Sequence, residues 1–306
     1  MIGHITDADA PAGLARRELP EPSPSPSDVL VEVRAYAVNR GELNLLLQRP
    51  KGWTPGQDVA GVVVHAAADG KGPSPGTRVV GAADQGGWSE RVVVPSHRVA
   101  PIPDNVSFAD AAALPVAGLT ALRALRTGGP LLGRRVLITG ASGGVGIFAV
   151  QLAAVAGAHV TAHVRGPHRV DEVRALGADL VVTTLGGISE RFDLVLDGVG
   201  GQVLVDALHH LAPGGTVTAY GMASGEKAAL AFTDLRGATN ARLIGFFVYA
   251  TDVSTFGEDL GYMAGLIGAG RMKVPGPRLD WTQTTQGIDL LRQHQSTGKV
   301  VFTIGR

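Results

Sequence analysis

The chain has 306 residues, 45% of them hydrophobic and 18% charged, with 27 basic and 27 acidic side chains in balance. Such a composition buries an ample core and excludes extended disorder, and a net charge of zero gives neither nucleic acid nor an anionic membrane surface an electrostatic partner. Cysteine is absent, which removes disulfides, thiol nucleophiles and Cys-ligated zinc together.

No apolar run reaches the roughly 18 residues of a membrane span. The opening "MIGHITDADAPAG" has no basic stretch followed by an apolar one, so a cytoplasmic protein is expected. In chain order, "DVLVEVRAYAV", "VAGVVVHAA", "TRVVGAA" and "WSERVVVPS" read as short strands punctuated by Gly and Pro. The Pro/Ser-rich "ELPEPSPSPSD" from Glu18 to Asp28, ahead of them, is expected to be a connector inside one β domain. From "FADAAALPVAGLTALRAL", read as helical, the pattern alternates. Strand "RRVLITG", helix "VGIFAVQLAAVAG", strand "HVTAHV", helix "RVDEVRALG", strands "LVV" and "FDLVLDGVG", helix "QVLVDALHHLA" and strand "GTVTAYG" follow one another. That alternation predicts a parallel sheet built from right-handed βαβ units. A late strand is expected in "ARLIGFFVYA", then helices in "FGEDLGYMAGLIGAG" and "TQGIDLLRQHQ", and a closing strand in "GKVVFTI".

The most informative stretch is "VLITGASGGVG", residues 136–146. Ala141, Gly143 and Gly146 hold the three places of a G-x-G-x-x-G motif, and Ser142, Gly144 and Val145 complete the loop. Such a loop turns tightly, lets a pyrophosphate approach the backbone, and aims the N-terminus of the next helix at the phosphates. The same letters also resemble the loop of short-chain dehydrogenases, whose chemistry needs a Tyr with a Lys four residues on. Tyr36, Tyr220, Tyr249 and Tyr262 are followed at that spacing by Arg40, Ser224, Val253 and Leu266, so that reading fails. Where NAD-binding chains carry an acidic residue after the second strand, this one has Arg165, with His168 and Arg169 close behind. Guanidinium groups there suit a 2′-phosphate, and NADPH is the expected cofactor.

"LPEPSPSPSDVLVEVRAYAVN", "PGQDVAGVV", "GGWSERVVVP", "IPDNVSFADAAALPVAGLTA", "LITGASGGVG" and "GKVVF", in this order, resemble the medium-chain dehydrogenase/reductase superfamily. The likeness is greatest to its zinc-free quinone oxidoreductase and enoyl reductase branch. The resemblance implies an α/β protein: a Rossmann domain with a doubly wound parallel sheet, plus a GroES-like β-rich catalytic domain. The expected division is 1–112 and 250–306 for the catalytic domain and 113–249 for the Rossmann domain. Zinc-dependent members hold their metal with two Cys and a His. Asn39, Gln57 and Ala117 stand in those places, so no metal site is expected.

By the same resemblance, Thr120, Val145, Gly221 and Phe247 belong to the cofactor site. Lys299 stands where relatives place a basic residue near the cofactor, with an ordinary surface lysine as the alternative. Asn39 is the candidate donor to a substrate carbonyl. Glu42 shapes the pocket, relays a proton or caps the following helix, and Tyr249 supplies a proton or packs. Trp53 is an aromatic candidate beside the substrate, and Leu45 to Leu47 suit either a hydrophobic substrate or a buried helix face. The implied partner is a small hydrophobic conjugated carbonyl compound or a quinone, with a non-catalytic NADPH-binding module as a further reading. A homodimer joined near "LIGFFVY" is expected.

Overall fold

In the computed structural model, which describes residues 1–305, the chain forms two compact units: residues 1–119 with 252–305, and residues 120–251. The first unit opens with an antiparallel pair not anticipated from sequence, β1 (Ile2–Thr6) and β2 (Leu14–Glu18). The Pro/Ser-rich connector then leads to β3 (Asp28–Val38) and helix α1 (Arg40–Gln48). Strands β4 (Asp58–His65), β5 (Arg78–Ala82), β6 (Arg91–Pro95) and β7 (Val99–Pro101) follow. The helical stretch beyond them is two helices rather than one, α2 (Phe108–Ala112) and α3 (Pro115–Arg126). Ser107 caps α2 by accepting the Asp110 N–H, and Pro115, which has no N–H to offer, restarts the chain as α3. The boundary between units falls inside α3 rather than ahead of it. The Val116 N–H donates to Asp58 of the first unit, whereas Arg123 donates to Thr251 of the second.

The second unit holds β8 (Arg135–Ile138), α4 (Gly144–Val155), β9 (His159–His163), α5 (Val170–Arg174) and β10 (Leu180–Val182). It continues through β11 (Phe192–Asp197), α6 (Gly201–His209), β12 (Leu211–Ala219) and β13 (Arg242–Gly245). Its six strands are all parallel, in the order β10-β9-β8-β11-β12-β13. This is the doubly wound arrangement. The connection reverses at β8, and in such sheets ligands bind beyond the carboxyl ends of the strands at that reversal. The expected late strand is shorter than its apolar run. It ends at Gly245, and Val248–Ala250 closes as a single 3-10 turn.

The chain returns to the first unit with α7 (Phe256–Gly268), β14 (Arg278–Asp280), α8 (Thr284–Arg292) and β15 (Val300–Thr303). The sheet order there is β14-β15-β3-β4-β5-β7, with β6 also paired to β3. Strand β3 is apolar almost throughout because three strands cover it, and Tyr36 stacks between Trp88 and Phe302 at 5.9 and 5.2 Å. The register sets Ala37 opposite Asp58 and Val38 opposite Val300. That pairing brings three distant segments to one end of β3. Among the described residues, no helix is long and apolar enough to cross a membrane.

Candidate functional site

In the second unit the glycine loop leaves β8 and enters α4 directly. The Ala141 N–H donates to the His163 carbonyl at 3.0 Å, and the Gly143 N–H donates to the Gly140 carbonyl at 2.9 Å. These bonds tie the loop to the end of β9 and close its turn. A Cβ on Gly146 would lie 2.4 Å from the Gly140 carbonyl oxygen and 2.6 Å from the Ala141 Cα, so the first turn of α4 packs against the loop without room for a methyl group. Gly144, Val145 and Gly146 open the helix, where N–H groups have no intrahelical acceptor. Gly143, Gly144 and Val145 are half-exposed. A helix N-terminus of this kind is chemically suited to an anion.

Just past β9, Arg169 is half-buried and donates through Nη1 to the Ser142 hydroxyl at 3.1 Å and through Nε to His168 Nε2 at 3.2 Å. The structure thus unites three of the expected cofactor residues, Ser142, His168 and Arg169. Arg165 and His168 remain exposed beside them. The sequence reading passed over Asp197, which ends β11 fully buried. It accepts the Thr139 hydroxyl at 2.5 Å and the Gly200 N–H at 2.9 Å. Burial raises the Asp197 carboxyl above its usual range, while Thr139 and the N–H groups of Gly200 and Val199 pull it back. Its one signal in sequence is an Asp closing an apolar run before a Gly pair. Gly221 lies close to the same loop: a Cβ there would meet the Gly198 carbonyl oxygen at 2.9 Å. Thr120 is buried, Phe247 is 66% exposed, and the ring of Tyr249, half-buried, lies 5.6 Å from that of Phe247.

The first unit carries a second polar centre at the end of β3, buried except for the half-buried Asn39. The Lys299 ammonium donates to Asn39 Oδ1 at 2.6 Å, to Asp58 Oδ2 at 2.8 Å and to the Val38 carbonyl at 3.2 Å. The Asn39 side-chain amide donates to Asp58 Oδ2 at 2.8 Å and Glu42 Oε2 at 3.3 Å. Glu42 further accepts the backbone N–H groups of Asn39 at 2.8 Å and Gln57 at 2.9 Å. Asp58 Oδ1 takes the Val116 N–H at 2.8 Å. Glu42 and Asp58 are 0% exposed and Lys299 only 2%. Burial, reinforced by the Asp58 carboxylate, pushes Glu42 up to about 8 against the opposing pull of the Asn39 N–H, Lys299 and the Gln57 N–H.

This geometry revises the expectations for Asn39 and Lys299 and selects the helix-capping alternative for Glu42. Asn39 was the expected donor to substrate, yet both hydrogens of its amide point at the carboxyl groups of Asp58 and Glu42. Lys299 is no surface lysine; its three ammonium hydrogens are taken inside the first unit rather than left for a cofactor. Glu42 does cap α1, through the Asn39 N–H, and its other oxygen binds a second segment. The Trp53 indole donates to Gln85 at 2.7 Å and its ring packs on the core. In the apolar run of α1, Leu46 is buried and Leu47 exposed, as on one face of a helix. Asp58 joins the centre unforeseen.

Two family models match. The one described as alcohol dehydrogenase GroES-like domain covers residues 25–104, and the one described as zinc-binding dehydrogenase covers residues 144–263. The chain is 35% identical over 297 residues to the spectinabilin polyketide synthase system protein NorB of Streptomyces orinoci, covering 92% of this chain and 13% of that protein. It is 40% identical over 195 residues to the chloroplastic quinone-oxidoreductase QR1 of Triphysaria versicolor, 56% of each. The chain thus spans about half of that curated relative and a small part of the other. A solved mycobacterial structure complexed with NADPH superposes with a TM-score of 0.87 at 25% identity, covering 99% of this chain and 100% of that one. With both domain types matched and the whole fold shared, the chain belongs to the medium-chain dehydrogenase/reductase superfamily, on its quinone oxidoreductase branch.

Proposed function

We propose that the protein is an NADPH-dependent, zinc-independent reductase that adds hydride to the carbon–carbon double bond of a small hydrophobic conjugated carbonyl compound. The observation that carries this reading is the occupied polar centre at Asn39. A zinc ion needs anionic or imidazole donors. At the three positions concerned the chain offers an amide already spent on Asp58 and Glu42, a second amide, and the methyl group of Ala117. That donor set does not fit zinc. The acceptor must then arrive already activated by conjugation.

The glycine loop and the cluster of Arg165, His168 and Arg169 suit a dinucleotide with a 2′-phosphate. Bound there, NADPH supplies the hydride. Gly144 to Gly146 would hold the pyrophosphate through their N–H groups. Thr120, Gly221 and Phe247 are assigned to the same cofactor. Addition at the β-carbon leaves negative charge on the carbonyl oxygen, which a preorganised hydrogen-bond donor stabilises. Tyr249, half-buried, is the proton-donor candidate. Similarity to a quinone-oxidoreductase supports a second reading, with a quinone as acceptor. The protein is taken to work in the cytoplasm as a homodimer.

Anaerobic NADPH consumption with a hydrophobic cyclic enone and with a simple quinone tests both readings. A saturated ketone as product supports the first, and turnover of quinone alone selects the second. NADPH bound without turnover of either leaves a binding module. In the same assay, Arg165→Ala and Arg169→Ala should each raise the KM for NADPH by roughly tenfold, the worth of one charge-assisted bond, and leave NADH unaffected. Equal effects on both cofactors would refute the 2′-phosphate site.

A further inference from the structure

The first unit has a recess of about 330 Å³ lined by His4 of β1, Leu14 and Arg16 of β2, and Thr282, Thr284 and Thr285 around the start of α8. None of these residues belongs to the polar centre at the end of β3. His4 is only 6% exposed, and its ring is fixed. The backbone N–H and Nδ1 of His4 both bond the Trp88 carbonyl, at 3.0 and 3.1 Å, and the ring meets those of Trp281 and Tyr36 edge-on at 5.9 and 6.4 Å. A carbonyl oxygen only accepts, so Nδ1 carries a hydrogen. Burial holds the imidazole below its ordinary value against the pull of the Trp88 bond, and the Arg16 charge acts with burial. The neutral ring leaves a lone pair on Nε2, which has no partner among the described residues. A buried acceptor without a donor costs free energy that a ligand donor in the recess would recover.

The other polar groups of the recess divide into two kinds. The Thr284 hydroxyl is engaged with the Tyr36 hydroxyl and the Trp281 carbonyl, both at 2.6 Å. Asp280 Oδ1 takes the N–H and the hydroxyl of Thr282 at 2.9 and 2.5 Å. In contrast, the Arg16 guanidinium lies 5.0 Å over the Trp281 ring and has no hydrogen-bond partner among the described residues, and neither has the hydroxyl of the half-buried Thr285. The recess thus offers a cationic fork, a hydroxyl donor and one buried acceptor.

We propose that this recess binds inorganic phosphate, with the Arg16 guanidinium and the Thr285 hydroxyl donating to its oxygens and one of its own O–H groups donating to His4 Nε2. A guanidinium matches the spacing of phosphate oxygens. The acceptor selects among anions. Inorganic phosphate keeps an O–H at neutral pH, whereas sulfate and a carboxylate have none, and a phosphate monoester loses its last one near about pH 6. The site stands apart from the cofactor and from the reaction proposed above.

Isothermal titration of the intact protein with inorganic phosphate, sulfate and phenyl phosphate at neutral pH tests the assignment. Wild type should bind phosphate at this site, and sulfate and phenyl phosphate roughly tenfold more weakly, since each leaves Nε2 without a donor. Arg16→Gln and Thr285→Val lie at the surface end of the recess and should keep the wild-type Tm. Arg16→Gln should weaken phosphate binding by roughly tenfold or more, and Thr285→Val by about threefold to tenfold. Arg169→Gln, in the second unit, should leave that binding unchanged. Absence of binding at millimolar phosphate, equal affinity for sulfate, or Arg16→Gln within about twofold of wild type overturns the proposal. Loss of phosphate binding in Arg169→Gln but not in Arg16→Gln would assign the anion to the second unit and overturn it as well.

Discussion

Glu42 is a carboxyl group enclosed with a second carboxylate and a single ammonium. Its value in the folded protein is about 8, against roughly 4.3 in an unfolded chain. Between those two values the folded state holds a proton that the unfolded chain has released. The contribution of Glu42 to stability is therefore complete below the unfolded value, decays as pH rises, and is gone once pH passes the folded one. Gln in its place cannot titrate. Tm measured for wild type and Glu42→Gln from about pH 5 to about pH 9 should shift steadily in favour of the variant as pH rises; a constant difference would mean that Glu42 stays ionised throughout. Asn39 and Glu42 could be named from a family likeness, but what they touch could not. Lys299 lies 260 positions from Asn39 and 241 from Asp58, and no local pattern links residues that far apart.

The glycine loop and α4 are the opposite case. Turn, backbone approach and helix start all lie within 11 residues, 136–146, so spacing alone identifies the element. Gly146→Ala should destabilise the protein by about 1–3 kcal/mol and weaken NADPH binding, because the added methyl group would overlap the loop backbone. Differential scanning calorimetry and a binding titration would show it; unchanged values in both would mean that the loop shifts freely. Gly143→Ala, whose Cβ would lie 3.2 Å from the Gly140 oxygen, should be milder. Elsewhere elements were read less well. Residues 108–126 form two helices because the chain restarts at Pro115, and β13 stops at Gly245 although apolar residues continue, since apolar character by itself does not distinguish a strand from a turn.

For the whole molecule, β13 is the edge of the six-stranded sheet, and Leu243 on it is 51% exposed. Phe232 and Phe247 of the same unit are 85% and 66% exposed. An open edge carrying exposed apolar side chains is a template for pairing with a second chain. Sedimentation equilibrium should give twice the chain mass of 31.5 kDa, and Leu243→Lys should shift it to the monomer; a monomeric wild type would end the dimer proposal. The sequence by itself determined the fold class, the two kinds of domain, the glycine-rich turn between β8 and α4 and the basic residues after β9, because each is set by periodicity or by spacing within a few residues. Only the tertiary structure decided that Asn39 is spent inward, that Lys299 is buried, and that Asp58 joins them. Those contacts exist because β4 and β15 pair with opposite edges of β3, and strand pairing brings together residues that the chain itself keeps far apart.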